Sequence, residues 1–524
     1  MQKKPIVLLI LDGWGLAPKS KFNAVEQAKK PNFDKLWKKY PHTSLSASGD
    51  GVGLPARQPG NSEAGHMNIG AGRLVLQDTM IINRSIDDRT FFGNTAFLHA
   101  FDHIKANKSR LHLMGLVSVN GSPHSDLRHL FALIELANAQ KQQKIFLHLF
   151  TDGRDSPQHS ISSIIKKIRS HVQKINVTGD IDVQIVTLMG RFYAMDRGKN
   201  WNRTKAAYDC LVESRCRRFP SVEAAIEHSY NAGNTDEYFE PSIVEDDDNK
   251  EQTRVKKNDA IIFFNLRSDR ARQIAKVFAQ NDFTKKNNKS FTRSKVVKNV
   301  LFCALTDFGP DLSSNLVTAF PGDDLIGTMP FIMNRYKQLY IAETEKFAHV
   351  TYFINGGHAD PVFAEQRVKI DSPKIRSYAQ KPEMSVYKIT DYIVKSIQKG
   401  TANFIVANFA NPDMVGHTGD FEATKAAISH VDNCLGMVVA AVHEQEGTLF
   451  VTADHGNAEK MMDANGEINV QHTTNPVPFI VANHDKSIRL RKGILGDIAP
   501  TIYDYFDIIK PDYVTGKSLI TNHK

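Results

Sequence analysis

The sequence predicts an α/β protein of two domains, and three observations carry that expectation. Short apolar runs of strand length alternate with amphipathic stretches of helix length, the pattern of βαβ units around a largely parallel sheet. At 524 residues the chain is longer than one core usually supports. Two distinct polar sets, one of acids and imidazoles and one of arginines, occupy different parts of the chain.

Composition narrows the class. With 41% hydrophobic and 23% charged residues, the chain reads as soluble and globular. No uninterrupted apolar run approaches the length a membrane span needs. Lys3 and Lys4 before Ile6–Leu11 imitate a signal peptide, but Asp12 follows with no cleavage pattern, so the run reads as a buried first strand. Cys210, Cys216, Cys303 and Cys434 show neither a metal spacing nor a disulfide framework, and a reducing cytoplasm is the expected compartment. A net charge of +9 admits nucleic acid, a membrane surface or an anionic small substrate. Lys285–Lys298 holds six basic residues, but Asn, Ser and Thr interleave them, which reads as a solvated loop. A small anionic substrate is the expectation, with no nucleic acid, no membrane and a monomeric chain.

Taken in order, the first strand Ile6–Leu11 ends in Asp12-Gly13-Trp14-Gly15. A helix follows around Asn23–Tyr40 with a break near Pro31, then a short segment Thr43–Ala47. Next comes Gln58-Pro59-Gly60-Asn61-Ser62-Glu63-Ala64-Gly65-His66, a tight turn opening a helix that ends near Gly70-Ala71-Gly72. Asp78–Ile86 is expected as a connector. The middle region carries strands at Leu111–Val117, Ile145–Phe150, Gln184–Met189, Ala260–Phe264 and Val300–Ala304, with helices such as His124–Gln140 and Ile161–Ile175 between them. Glu245–Lys257 reads as a charged surface loop. From about Pro321 the alternation resumes, with strands at Ala348–Phe353, Asn403–Asn408, Gly447–Thr452 and Val477–Ala482 and a closing helix at Ile494–Phe506.

Ser62 is the candidate nucleophile. The first turn of a helix offers free N–H groups and a positive dipole end to an anion such as phosphate. A serine hydroxyl needs a base or a metal ion to lose its proton. His66, one turn on, has no orienting carboxylate in the local sequence. Read alone, Ser62 also fits a plain N-cap.

The rest of the chain supplies the metal. Asp12 follows the first strand, Asp413 and His417 follow Phe404–Phe409, Asp454 and His455 follow Leu449–Thr452, and His472 precedes Val477. Ligands in open α/β sheets bind beyond the carboxyl ends of strands. Carboxylates, imidazoles and an alkoxide with no thiolate suit Mn²⁺ or Zn²⁺. Six Asp and His ligands exceed what one ion with open positions takes, so two ions are expected, one to ionise Ser62 and one to hold phosphate oxygens. The arginine set lies in the middle region: Ser122-Pro123-His124, Thr151-Asp152-Gly153-Arg154-Asp155, Arg191, Arg197 and Arg267-Ser268-Asp269-Arg270. Arginines beyond successive strands suit a ligand with two or three negative charges.

Asp12-Gly13-Trp14-Gly15, Gly60-Asn61-Ser62-Glu63-Ala64-Gly65-His66, Asn411-Pro412-Asp413-Met414-Val415-Gly416-His417 and Thr452-Ala453-Asp454-His455-Gly456-Asn457 resemble the cofactor-independent phosphoglycerate mutases of the alkaline phosphatase superfamily. The resemblance runs nearly end to end. It implies a phosphatase-like three-layer α/β/α metal domain from residues 1–78 with 317–524, and an inserted α/β substrate-binding domain from residues 79–316. It implies a phosphorylated Ser62, one Mn²⁺ on Asp413, His417 and His472, and a second on Asp12, Ser62, Asp454 and His455. Zn²⁺, Co²⁺ or Mg²⁺ are alternatives, and 2,3-bisphosphoglycerate is not required. His124, Arg154, Asp155, Arg191, Arg197, Arg267 and Arg270 would bind phosphoglycerate, Lys346 would sit near the serine, and Asp155 would exchange protons with the substrate hydroxyls. Ser268 and His358-Ala359-Asp360 depart from the common family pattern without touching these residues. Closure of the arginine domain on hinges near Asp78–Ile86 and Phe308–Leu316 would exclude water. A phosphopentomutase or metal-dependent phosphatase would share the ion site but not these arginines. A non-catalytic RNA-binding protein would not need the complete ligand set.

Overall fold

The computed structural model describes residues 4–119, 122–176, 181–213, 215–245, 253–309, 311–312, 316–322, 325–363, 365–462, 466–483 and 487–522. In chain order the strands are β1 (Ile6–Leu11), β2 (His42–Ser46), β3 (Leu111–Val117), β4 (Lys144–Thr151), β5 (Asp182–Gly190), β6 (Arg217–Phe219), β7 (Ser242–Val244) and β8 (Ala260–Phe263). They continue as β9 (Leu301–Thr306), β10 (Leu316–Phe320), β11 (Gln338–Glu343), β12 (Glu365–Ile370), β13 (Phe404–Phe409), β14 (Thr448–Thr452), β15 (Val477–Ala482) and β16 (Gly493–Ile494). The chain forms two compact units, residues 1–77 with 324–524, and residues 78–323.

The first unit is a three-layer α/β/α structure on a sheet of order β12-β11-β13-β1-β14-β15-β2-β16. β11, β12, β13, β1 and β14 run parallel, while β15 is antiparallel to both β14 and β2. Buried on both faces, β1 is a continuous apolar run, as interior parallel strands are. Each of its side chains contributes about 1.5–3 kcal/mol by leaving water. Helices Pro31–Lys39, Val386–Lys399 and Phe421–Glu444 pack together. Ser62–Ala71 and Ile498–Tyr505 form a second helical group with the turn His349–Phe353.

Helix Phe421–Glu444 has the length and mean hydropathy of a membrane span, a match the sequence reading passed over. Half of its most apolar window is buried in this core. Its Asp432 accepts the N–H groups of Asn32 and Phe33 at 3.0 and 2.7 Å, capping the neighbouring helix Pro31–Lys39.

The second unit carries a sheet of order β10-β9-β8-β3-β4-β5-β7-β6, parallel throughout except where β7 meets β5. One face packs an apolar cluster with helices Thr95–Asn107, Leu127–Ala139, Ile161–Asn176 and Val222–Asn231. The other packs a cluster with Trp201–Glu213 and Ser268–Ala279.

Several expectations are corrected. Asp78–Asp87 is a helix, not a loose connector. Ala348–Phe353, a β-branched and aromatic run, is not a strand: His349–Phe353 forms a π-helical turn, with Val350 buried and Tyr352 exposed. The strand in that region is β11, which runs into Lys346 and pairs with β12 and β13. β10, also unforeseen, pairs with β9 and so belongs to the second unit. Residues 310 and 313–315 of the expected hinge, and 246–252 of the charged loop, lie outside the described residues. Cys210 and Cys216 form a disulfide, where no pairing was expected. After helix Trp201–Glu213 the chain doubles back into β6 and returns Cys216 to the last helical turn, with the Cα atoms 5.3 Å apart. Cys303 and Cys434 are free and buried.

Candidate metal centre and substrate group

Ser62 opens its helix as the sequence suggests. Asn61, not Ser62, is the N-cap: its side chain accepts the Ala64 N–H at 2.9 Å, which leaves the Ser62 hydroxyl free for other partners. Gly65 is dictated by packing, because a Cβ there would lie 2.6 Å from the Asp454 carbonyl oxygen. Only glycine lets the serine helix come this close to the loop after β14.

The Ser62 Oγ lies 2.9 Å from His455 Nε2 and accepts from Lys346 Nζ at 2.7 Å. The same ammonium donates to Asp12 Oδ1 and Asp413 Oδ2, each at 2.7 Å. His455 Nε2 is 3.7 Å from Asp12 Oδ1 and 3.5 Å from Asp454 Oδ2. Asp12, Ser62, Asp454 and His455 therefore come together beyond β1 and β14. Asp413, His417 and His472 form an adjoining group, their nearest ligand atoms within 4.8 Å of one another. Asp413 also groups with Asp12 and His455, so the two sets share it as a neighbour.

The donor chemistry fits a cation. His417 Nδ1 faces the Val470 carbonyl at 2.7 Å, and His472 Nδ1 faces the Gly60 carbonyl at 2.8 Å. A carbonyl only accepts, so each ring carries a proton on Nδ1, and Nε2 is the nitrogen left to face Asp413 or an ion. Those two Nε2 atoms are 3.1 Å apart, and Asp413 Oδ1 lies 3.2 and 3.3 Å from them. Beside ionised Asp413 these nitrogens attract positive charge, either a proton, for which His417 despite its burial has a raised affinity through its contact with Asp413, or a metal ion that takes the proton's place.

The carboxylates make the same demand. Burial, with Asp454 and Asp413 nearby, raises the Asp12 carboxyl well above the ordinary range against the pull of Lys346. Burial also works against ionised Asp413 and Asp454. Lys346 and the imidazoles of His417 and His472 outweigh it at Asp413, as His455, His66 and Lys346 do at Asp454, and both stay far below the usual value. Three buried carboxylates around one ammonium leave an excess of negative charge that a divalent ion would balance. Burial pushes His455 down to about 3, which makes it a poor acceptor for the Ser62 proton at neutral pH.

His66, which the local sequence left without an orienting carboxylate, finds one in Asp454, and Asn408, Asn457 and Glu459 join the site without having been singled out in the sequence. His66 is fully buried, with Nδ1 2.9 Å from the Ser62 carbonyl and 3.3 Å from Asp454 Oδ2. Asn408 donates to Asp12 Oδ2 at 2.7 Å, and Asn457 donates to Asp413 Oδ1 at 2.8 Å. Glu459 accepts from the backbone of Gly15 and Asn457, from Asn475 and from Thr473, tying the loops after β1 and β14 to the segment before β15. One signal was legible: a lone Asn inside the apolar run Phe-Ile-Val-Ala-Asn-Phe has no reason to be there without polar partners.

In the second unit Arg191 is almost fully buried and donates to Asp152 Oδ1 and Asp155 Oδ2, both at 2.6 Å. Asp152, quoted in the motif but given no role, also accepts from Ser118, Ser156 and the N–H groups of Arg154 and Asp155. Arg197 pairs with Asp269 at 2.9 Å, and Arg267 and Arg154 approach Asp269 and Glu237 at 3.6 Å. Burial, then the guanidiniums of Arg191 and Arg267, push His124 down to about 4, so its ring is neutral at pH 7. Burial and the charges of Arg191, Arg197 and Arg154 lower the proton affinity of Arg270, with Asp269 opposing them. The predicted set is thus one neighbourhood, partly balanced by acids, and positive enough to attract an anion.

The comparisons place this architecture. The model of the metalloenzyme superfamily matches residues 4–510. The fold and the site define a metalloenzyme of that superfamily. A 2,3-bisphosphoglycerate-independent phosphoglycerate mutase of Clostridium kluyveri is 45% identical over 523 residues, covering 99% of this chain and 100% of its own. One from Methanosarcina acetivorans is 45% identical over 522 residues, covering 99% of each chain. A crystal structure of Leishmania mexicana phosphoglycerate mutase at low cobalt concentration matches with a TM-score of 0.74 and 28% identity, over 99% of this chain and 98% of that one. The chain belongs to the 2,3-bisphosphoglycerate-independent phosphoglycerate mutase family.

Proposed function

We propose that this chain interconverts 3-phosphoglycerate and 2-phosphoglycerate without 2,3-bisphosphoglycerate, through phosphorylation of Ser62. The observation that carries the proposal is Ser62 Oγ at a helix N-terminus, 2.7 Å from the Lys346 ammonium, among Asp12, Asp413, Asp454 and His455. Two divalent ions, Mn²⁺ as the first choice, would be held by Asp413, His417 and His472, and by Asp12, Ser62, Asp454 and His455. Bound there, they favour the Ser62 alkoxide and offset charge on phosphate oxygens.

The protein's own groups do the rest. Lys346 holds a positive charge against Ser62, because Asp12 and Asp413 raise its affinity for the proton despite burial. That ammonium stabilises charge growing on the transferred phosphoryl group. The positive end of helix Ser62–Ala71 adds to it. In the second unit Arg154, Arg197, Arg267 and Arg270 take the substrate carboxylate and phosphate, while Arg191 holds Asp155 in place. Asp155 exchanges a proton with the substrate hydroxyls, and neutral His124 serves as its hydrogen-bonding neighbour.

The test is turnover of 3-phosphoglycerate by the purified chain with no bisphosphoglycerate added, with Mn²⁺, after chelation, and with Ser62→Ala. Wild-type turnover with Mn²⁺, its loss on chelation, and a fall of more than about 10⁴-fold for Ser62→Ala are expected. Turnover that survives Ser62→Ala would overturn the assignment of the nucleophile.

A further inference from the structure

The side-chain amide of Asn408 sits where β13 meets the candidate metal centre, fully buried between two strands' worth of acid. Its Nδ2 lies 2.7 Å from Asp12 Oδ2 and 3.1 Å from His66 Nε2. In the ionised form that binds an ion, Asp12 only accepts, so the amide nitrogen, not its oxygen, must face it. That nitrogen has two hydrogens, and the second points to His66 Nε2, which must then be the lone-pair nitrogen of the ring. The His66 proton is consequently on Nδ1, directed at the Ser62 carbonyl 2.9 Å away and beside Asp454 Oδ2 at 3.3 Å.

We infer that Asn408 and His66 form a positioning pair for the ion group Asp12, Ser62, Asp454 and His455. Asn408 orients Asp12 directly, and it fixes the His66 tautomer that orients Asp454 and the backbone of Ser62. The inference rests on the two-ion reading above and goes beyond it. His66 also lies close enough to Asp12 and Asp454 to be mistaken for a ligand itself. With Nε2 accepting from Asn408 and Nδ1 donating, neither ring nitrogen has a lone pair left for an ion. Asp12 Oδ1 and the His455 Nε2 lone pair are turned away from the pair and toward each other, at 3.7 Å.

The chain arrives at this arrangement from two separate elements. Asn408 lies opposite Ile10 in the parallel register of β13 on β1, two residues before Asp12. His66 lies one turn after Ser62, on the same face of its helix. A displacement of either the strand end or the serine helix is therefore passed to both carboxylates at once.

The test uses the full chain and two readouts. Mn²⁺ titration of wild type, Asn408→Leu, His66→Asn and His66→Gln measures the affinity of each ion separately. Asn408→Leu is expected to weaken one ion by about 10–100-fold and leave the Asp413, His417 and His472 group unchanged. Asparagine at 66 can place an amide N–H where Nδ1 was, and glutamine cannot, so His66→Asn should keep much of the affinity that His66→Gln loses. The second readout is the ¹⁵N spectrum of histidine-labelled, chelated protein, with the His66 signal assigned by its absence in His66→Gln. The Nδ1–H tautomer in wild type, and its loss in Asn408→Leu, are expected. Equal losses in both His66 variants, or the Nε2–H tautomer in wild type, would overturn the inference. A wild-type chain that takes up fewer than two ions would sink the two-ion reading, and the tautomer result alone would then decide this one. Should Asn408→Leu lack a cooperative melt, the two His66 variants decide.

Discussion

Lys346 holds three partners that would otherwise collide. Its ammonium reaches Asp12, Ser62 and Asp413 at 2.7 Å each, and all four residues are buried. Replacing it with methionine leaves the carboxylates facing one another and should cost the chelated protein about 3–5 kcal/mol. Thermal melts should show Mn²⁺ recovering more of that loss in Lys346→Met than it adds to wild type. A variant that melts like wild type after chelation would contradict the assignment. His129 makes a different residue-scale prediction. It is fully buried in helix Leu127–Ala139, with neither ring nitrogen hydrogen-bonded among the described residues, and burial pushes it down to about 4. Between the ordinary value of about 6.5 and that value, the unfolded chain binds a proton that the folded chain refuses. The stability held by the neutral ring is thus full above pH 6.5 and lost as pH falls toward 4. Buried His112 and His148, also shifted downward chiefly by burial, add to the same slope. His129→Leu should flatten part of the pH dependence of chemical unfolding between those limits and add about 1–3 kcal/mol near its lower end.

At the scale of elements, the serine helix is placed by what it lacks. Gly65→Ala would drive a methyl group into the Asp454 backbone and push the helix off the loop after β14. A loss of turnover larger than the loss of melting temperature is expected, because the displacement falls on Ser62 and Asp454 together. Much of this level was legible in the sequence, since acids and histidines at strand ends announce a site wherever parallel strands stop. What stayed hidden has physical reasons. Ala348–Phe353 has strand-forming side chains, yet only alternate packing on a sheet would have used them, and β11 already fills that place beside β13. Asn408 stood out in its apolar run, but its partner Asp12, like the Gly15 partner of Glu459, lies hundreds of residues away, in contacts no local spacing encodes. The Cys210–Cys216 pairing joins the last turn of a helix to the residue before β6, a local link that the spacing of four cysteines did not announce.

At the scale of the whole molecule, the two units have separate hydrophobic cores, so unfolding is not expected to be a single two-state event. All the candidate ion ligands lie in the unit of residues 1–77 and 324–524. Calorimetry with Mn²⁺ at a hundred times the dissociation constant of each of two sites should stabilise that unit by about 2.7 kcal/mol per ion, about 5.4 kcal/mol in all, and leave the other transition in place. A uniform shift of every transition would show the units unfolding as one.

The hydrogen bond from His472 to the Gly60 carbonyl carries a further consequence. It ties an imidazole of one candidate ion group to the peptide that precedes the Asn61 cap and Ser62, the proposed nucleophile. Any ion that sharpens the orientation of His472 also steadies the turn, and any group bound on Ser62 that shifts the turn alters the grip on that ion. Thermodynamic reciprocity makes the two effects equal in magnitude. Under the proposed phosphorylation of Ser62, the affinity for metal and the affinity of the serine for its phosphoryl load are one coupled equilibrium, and the charge state during turnover would be written into how tightly the ions are kept.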